Sequence, residues 1–255
     1  MIRQSFIFLD GIGTVRERNL WKKGILDWRD FLESKKIKGI PEKKKSILDR
    51  EIEEADFNLS HLASSFFFRR LPGREHWRLF SEFREHACFI DIETTGLSAE
   101  RNDITVVGVY NGREYKSFIK GINLEEESLK RELEKYSLII TFYGSAFDIP
   151  FLIKKFPTLS FEKPHIDLCF TSRRIGLSGG LKKIEEEMGL EREDDIKGMS
   201  GFDAVRLWKK WEVYRNRRAL ETLVEYNRID VENLSPIAEH VYDRLKKAVF
   251  ADFIV

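Results

Sequence analysis

The chain has 255 residues and an almost even charge balance, 44 Lys and Arg against 43 Asp and Glu, so bulk charge does not mark a polyanion binder and any such site must come from local clustering. Apolar residues make up 42% and charged residues 34%, which excludes a disordered chain, and no apolar run reaches the roughly 18 residues of a membrane helix. Two cysteines, Cys88 and Cys169, exclude a disulfide framework and a CxxC zinc site; with no secretory leader pattern, the expectation is a reduced, cytoplasmic protein that binds no membrane.

The first third reads as helical. Over residues 6–32, two short amphipathic segments flank the turn glycines Gly11, Gly13 and Gly24. Pro41 suits the first turn of a further helix, along which Leu48, Ile52, Ala55, Leu59, Leu62 and Phe66 recur at steps of four and three, one helical face. Leu71-Pro72-Gly73 breaks the pattern, and Trp77, Phe80 and Phe83 suggest one more short helix. From residue 87 the pattern becomes α/β. ACFIDIE, ITVVGVY, EYKSFI, SLIITFYG and HIDLCF read as strands, the second and third joined by Asn111-Gly112, a strong hairpin signal. Helices are expected over 125–136, 147–156, 181–188, 202–212, 217–230 and 236–248, with Pro236 opening the last. Net charge is +4 over residues 1–86 and −3 over the remainder.

Three segments carry carboxylates in contexts that ask for a cation. In FIDIETTGL, Asp91 and Glu93 stand two apart at the end of an apolar strand, so both leave the same face. Paired carboxylates on a buried strand repel one another and are costly to desolvate. In FYGSAFDIPFL, Asp148 lies near a helix start, where the dipole favours an anion, hemmed by Phe147, Pro150 and Phe151. In EYNRIDVENL, Tyr226 and Asp230 are four apart and share a helix face. Taken singly, their ordinary readings are a solvated strand end, an N-terminal cap and an amphipathic helix with Tyr226 in the core. Together they supply an all-oxygen donor set that suits Mg²⁺ or Mn²⁺. Two such ions ~3.5–4 Å apart activate a water and stabilise the leaving oxygen of a phosphodiester.

These segments resemble the three motifs of the DEDD group of 3′–5′ exonucleases in the ribonuclease H-like superfamily. The tyrosine four before the last aspartate is that of the tyrosine subtype. The stretch from PHIDLCF to EYNRIDVENL resembles the YprB-type branch more specifically, and the likeness covers roughly residues 74–245. It implies a ribonuclease H-like mixed sheet flanked by helices over residues 73–255, preceded by a small all-helical module over 1–72. It also implies a two-metal 3′–5′ exonuclease, with Asp91, Glu93, Asp148 and Asp230 holding the metals, Tyr226 positioning the nucleophilic water, and Thr94, Gly96 and Leu97 lining the pocket for the terminal nucleotide. The chain departs from the family at Tyr143, where related sequences often have Asn. Asp167 is outer-shell or structural, and His165 and His240 read as satisfied histidines rather than ligands. Two other readings stay open: an idle module of the same fold that binds nucleic acid or a protein, and a structure-specific endonuclease.

The segment from Phe6 to Leu32 resembles a helix-hairpin-helix motif, with Gly11-Ile12-Gly13 as the hairpin. Glycines there let backbone N–H groups approach a phosphate, and Arg16, Arg18, Lys22 and Lys23 add charge. The resemblance implies sequence-independent contact with DNA or RNA through Gly11, Gly13 and Arg16. The opposing reading is a hairpin that only packs, with Trp21 and Trp28 buried.

Overall fold

In the computed structural model, which describes residues 1–192 and 196–253, the chain opens with a 3₁₀ turn, Ile2–Gln4, and four helices: α1 (Thr14–Trp21), α2 (Trp28–Glu33), α3 (Glu42–Ser60) and α4 (Ser64–Arg70). A 3₁₀ segment, Gly73–Leu79, and the short α5 (Phe80–Phe83) lead into the strands β1 (Ala87–Thr94), β2 (Ile104–Tyr110) and β3 (Tyr115–Ile119). Then follow α6 (Glu126–Leu133), β4 (Leu138–Thr141), α7 (Asp148–Lys155), β5 (His165–Asp167), α8 (Leu168–Arg173), α9 (Leu181–Met188), α10 (Gly201–Tyr214), α11 (Arg217–Glu232) and α12 (Leu234–Phe250).

The strands form one mixed sheet in the order β3-β2-β1-β4-β5, antiparallel from β1 through β3 and parallel from β1 through β5. Central β1 divides its side chains by period two. Cys88, Ile90 and Ile92 join Leu129, Leu133, Phe151 and Leu152 of α6 and α7 on one side. Asp91 and Glu93 fall on the other, beneath α10 and α11, whose Ala204, Trp208, Leu223 and Tyr226 pack on Val106. The β2–β3 hairpin is closed by Asn111, whose side-chain oxygen accepts from the N–H groups of Arg113 (3.0 Å) and Glu114 (2.9 Å), while Gly112 takes φ +89°. This is the expected ribonuclease H-like mixed sheet with helices N-terminal to it.

The N-terminal helices share one apolar cluster with α12 and with Phe89, Leu138 and Ile140 of the sheet. Trp21 meets Phe250 edge to face at 5.0 Å, and Trp28 stacks on Phe67 at 6.5 Å. Buried beneath them, Arg78 donates to Glu17 (3.1 Å), Glu75 (2.8 Å) and the Ser5 hydroxyl (3.1 Å).

Three expectations need correction. No helix forms between Phe6 and Gly11: Phe6, Ile7, Phe8 and Leu9 are all buried, so the segment has no polar face to give water, and the Phe6 N–H is taken by Glu17 (2.8 Å). Leu62 and Phe66 do not continue the face of α3, because Leu62 takes φ +54° after the helix ends at Ser60. HIDLCF is a strand only to Asp167, whose carboxylate caps α8 by accepting from the Cys169 N–H (3.1 Å), so Cys169 is helical. No helix among the described residues is long and apolar enough to cross a membrane.

Candidate active site

The site lies where parallel β1 and β4 part. Their last paired residues are Phe89 and Ile140, so beyond them that edge of β1 has no strand partner. Asp148, the first residue of α7, takes its place: its Oδ1 accepts from the Ile92 N–H (3.0 Å). The turn that delivers Asp148 is held from below by Asp167, which accepts from the N–H groups of Tyr143 (2.8 Å) and Ser145 (3.0 Å) and from the Ser145 hydroxyl (2.5 Å). Asp167 is therefore the anchor of this turn. His165 is half-buried, its Nε2 hydrogen-bonded with the Thr141 hydroxyl at 2.8 Å, and loss of hydration around the ring pushes its pKa down to about 4. In the turn, Tyr143 takes φ +64°, and a Cβ on Gly144 would lie 2.3 Å from Thr141 Oγ1, so only glycine fits there.

Asp91 and Glu93 of β1 meet Asp230 of α11: one carboxylate oxygen of each lies within 4.8 Å of the other two. A residue that no motif singled out aligns the first of them. Asn227, fully buried on α11, donates to Asp91 Oδ2 (2.8 Å), and its own oxygen accepts from the Tyr115 hydroxyl (2.9 Å). Gly108, opposite Asp91 in β2, makes room for it, since a Cβ there would sit 2.0 Å from Asn227 Oδ1. Asp230 is bound by Arg192, which also forms a two-pronged pair with buried Glu185 (2.7 Å each), itself held by Asn233 Nδ2 (2.8 Å). Arg192, Glu185 and Asn227 had no visible signal beyond a glycine inside a strand and an asparagine inside the YNRID segment.

The electrostatics are those of crowded anions. Burial, then the charges of Asp148, Glu93 and Asp230, push Asp91 well above the usual carboxylate range. Burial, then Asp230 and Asp148, do the same to Glu93. Burial raises Asp148 to about 7, against the stabilising Ile92 N–H, and raises Asp230 against Arg192. Tyr226 is also raised by burial and by the carboxylates, so it stays a phenol. Among the described residues, neither Asp91 nor Glu93 has a cationic hydrogen-bond partner. Clustered hard oxygen donors without a full set of counter-charges fit a divalent cation such as Mg²⁺ or Mn²⁺.

One cavity of about 440 Å³ gathers Asp91, Glu93, Asp148, Tyr226 and Asp230 with Thr94, Gly96 and Leu97. Thr94 donates to the Gly96 carbonyl (2.7 Å), and Leu97 stands 82% exposed at the mouth together with Phe202. Gly11, Gly13 and Arg16 are elsewhere. Gly13 caps α1, and Arg16 donates to the Gly11 carbonyl (2.6 Å) beside a separate cleft of about 310 Å³ that Lys23, Lys38 and Lys44 also line.

Among solved structures, the family B DNA polymerase of the hyperthermophilic archaeon Pyrobaculum calidifontis is similar over 61% of this chain, at 15% identity and a TM-score of 0.50; the chain spans only 24% of that polymerase. Brucella melitensis NrnC with bound Mg²⁺ aligns over 72% of this chain and 84% of its own, at 20% identity and a TM-score of 0.46. The same protein bound to pGG gives 22% identity over the same shares at the same TM-score. No curated protein sequence matches. The model of the RNase_H superfamily matches residues 88–242, which hold every carboxylate of the cavity, and the chain belongs to that superfamily.

Proposed function

We propose that the protein is a divalent-metal-dependent nuclease that releases nucleotides from the 3′ end of DNA or RNA without regard to sequence. The observation that carries this reading is the convergence of Asp91, Glu93 and Asp230 within 4.8 Å, in one cavity with Asp148 and Tyr226. Asp91, Glu93, Asp148 and Asp230 would hold two Mg²⁺ or Mn²⁺ ions, which when bound supply Lewis-acid stabilisation and a water of lowered pKa. The chain's own groups do the rest. Tyr226, kept protonated, offers a hydroxyl that fixes the attacking water's direction. Thr94, Gly96 and Leu97 wall the space for one terminal nucleotide. A cavity of this size, walled on one side by α10 and α11, suits an end better than a continuous duplex. In the separate cleft, Arg16, Lys23, Lys38 and Lys44 offer phosphate contacts further along the strand.

End-labelled DNA and RNA oligonucleotides, incubated with Mn²⁺, test the reading. A ladder shortening from the 3′ end, abolished by EDTA and restored by Mg²⁺ or Mn²⁺, is expected. Tyr226→Phe should lower turnover by roughly 10²–10⁴-fold while the metal-induced rise in Tm is kept, because only the orienting hydroxyl is removed. Internal cuts would assign an endonuclease, and tight binding without cleavage an idle module.

A further inference from the structure

Tyr143 and Phe170 form an exposed aromatic pair that the chemistry above does not use. Their ring centroids lie 5.9 Å apart at an interplanar angle of 37°, and they are 47% and 44% exposed. Tyr143 lines the rim of the active-site cavity, so the pair continues the cavity outward onto α8. One turn further along α8, the Arg173 guanidinium stands 5.3 Å from the centre of the Phe170 ring. Arg173 is exposed and, among the described residues, has no carboxylate partner.

Two features at this spot run against stability. A bulky residue at φ +64° is disfavoured, whereas Asn adopts that region readily. Two large rings half in water forgo burial. The fold does not need a ring at residue 143: the turn is held by its backbone N–H on Asp167, which any residue but proline would supply. Unfavourable backbone geometry kept at the edge of a site is a mark of function.

Resting on the nuclease reading, we propose that Tyr143, Phe170 and Arg173 form a platform on which the unpaired base next to the terminal nucleotide stacks, with Arg173 at its phosphate. Every base has a π-face, so the platform is blind to sequence. A paired base has both faces covered within its duplex, so the platform selects a single-stranded end. Continuity with the cavity and a guanidinium that, among the described residues, has no carboxylate to neutralise it favour nucleic acid over protein as the occupant.

The test is the affinity of the full chain for a fluorescent single-stranded pentanucleotide in EDTA, by anisotropy, with one abasic site moved along the strand. Wild type is expected to lose roughly fivefold to a hundredfold when the abasic site reaches the nucleotide next to the bound end. Phe170→Ala, and separately Tyr143→Asn, should lose a similar factor on the intact strand and nothing more on that abasic strand, with Tm unchanged or raised. Cleavage with Mn²⁺ is followed in parallel. Wild-type cleavage with affinity indifferent to both variants overturns the platform and leaves the nuclease standing. The abasic signature without any cleavage keeps the platform and overturns the nuclease. Oligonucleotide affinity unchanged while Phe170→Ala abolishes a concentration-dependent dimer overturns the platform and assigns the patch to a second copy of the chain.

Discussion

Asp148 shows what the site costs at the level of a single residue. Its carboxyl is pushed up to about 7 because it is buried, although the Ile92 N–H and the start of α7 favour its charge. An acid that holds its proton more tightly folded than unfolded favours the folded state at low pH, and that preference disappears as pH rises from the ordinary aspartate range through the raised value. Asp91 and Glu93 act in the same direction. In EDTA, the Tm of wild type is therefore expected to fall relative to that of Asp148→Asn as pH rises from about 5 to about 8. Metal requires the ionised carboxylates, so the Tm gain from Mn²⁺ should grow over the same interval. Thermal melts of both proteins at the two ends of that range, with and without metal, decide it; a metal-free wild-type Tm that holds level or rises relative to that of Asp148→Asn as pH rises would contradict the assignment.

At the scale of elements, the site depends on how closely α11 lies on β2. Gly108 permits that approach, and Asn227, Tyr226 and Asp230 all travel on α11. In Gly108→Ala the new methyl would meet Asn227 Oδ1 at 2.0 Å and Val231 Cγ2 at 3.0 Å, inside a packed layer. Overpacking of this kind costs about 1–3 kcal/mol, or roughly 2–4 °C of Tm per kcal/mol for a chain of this size. The displaced helix should also loosen the Asn227–Asp91 bond and weaken the metal-induced rise in Tm. Gly73→Ala, where an added methyl meets nothing within 4 Å, is the matched control and should stay within roughly 0.5 kcal/mol of wild type.

Over the whole molecule, the N-terminal residues serve as part of the core, and their charged groups divide into two kinds. Arg78, Glu17 and Glu75 are buried together, at 2%, 1% and 4% exposure, and join the first turns of the chain to the segment that leads into β1. Arg78→Met leaves two buried carboxylates without their shared cation, so it is expected to cost about 3–5 kcal/mol, read as a fall in Tm. Arg16, Lys23 and Lys44 line an open cleft instead. Replacing these three by Ala should leave Tm nearly unchanged and make oligonucleotide affinity less salt-dependent. Every phosphate that is no longer neutralised takes about 0.7–0.9 from the slope of log affinity against log salt. An unchanged slope would assign these cations to solvation alone. Removal of residues 1–40 could not separate the two effects, because it takes Phe6, Trp21, Trp28 and Phe31 out of the core.

The sequence by itself determined the elements whose signals are local. The bounds of β2 and α9 fall at the residues expected, Asn111-Gly112 turns the hairpin, and Asp91, Glu93, Asp148, Tyr226 and Asp230 could be named because each motif is one short contiguous run of the chain. Only the tertiary structure decided what lies between them. Asn227 reaches Asp91 across 136 residues and Arg192 reaches Asp230 across 38, and no periodicity encodes pairs so far apart. Tertiary demand also overrode pattern near the N-terminus. Four consecutive buried apolar residues, Phe6 to Leu9, have no polar face on which helical spacing could be read, and the group that takes the Phe6 N–H, Glu17, is fixed in turn by Arg78 from 61 residues away.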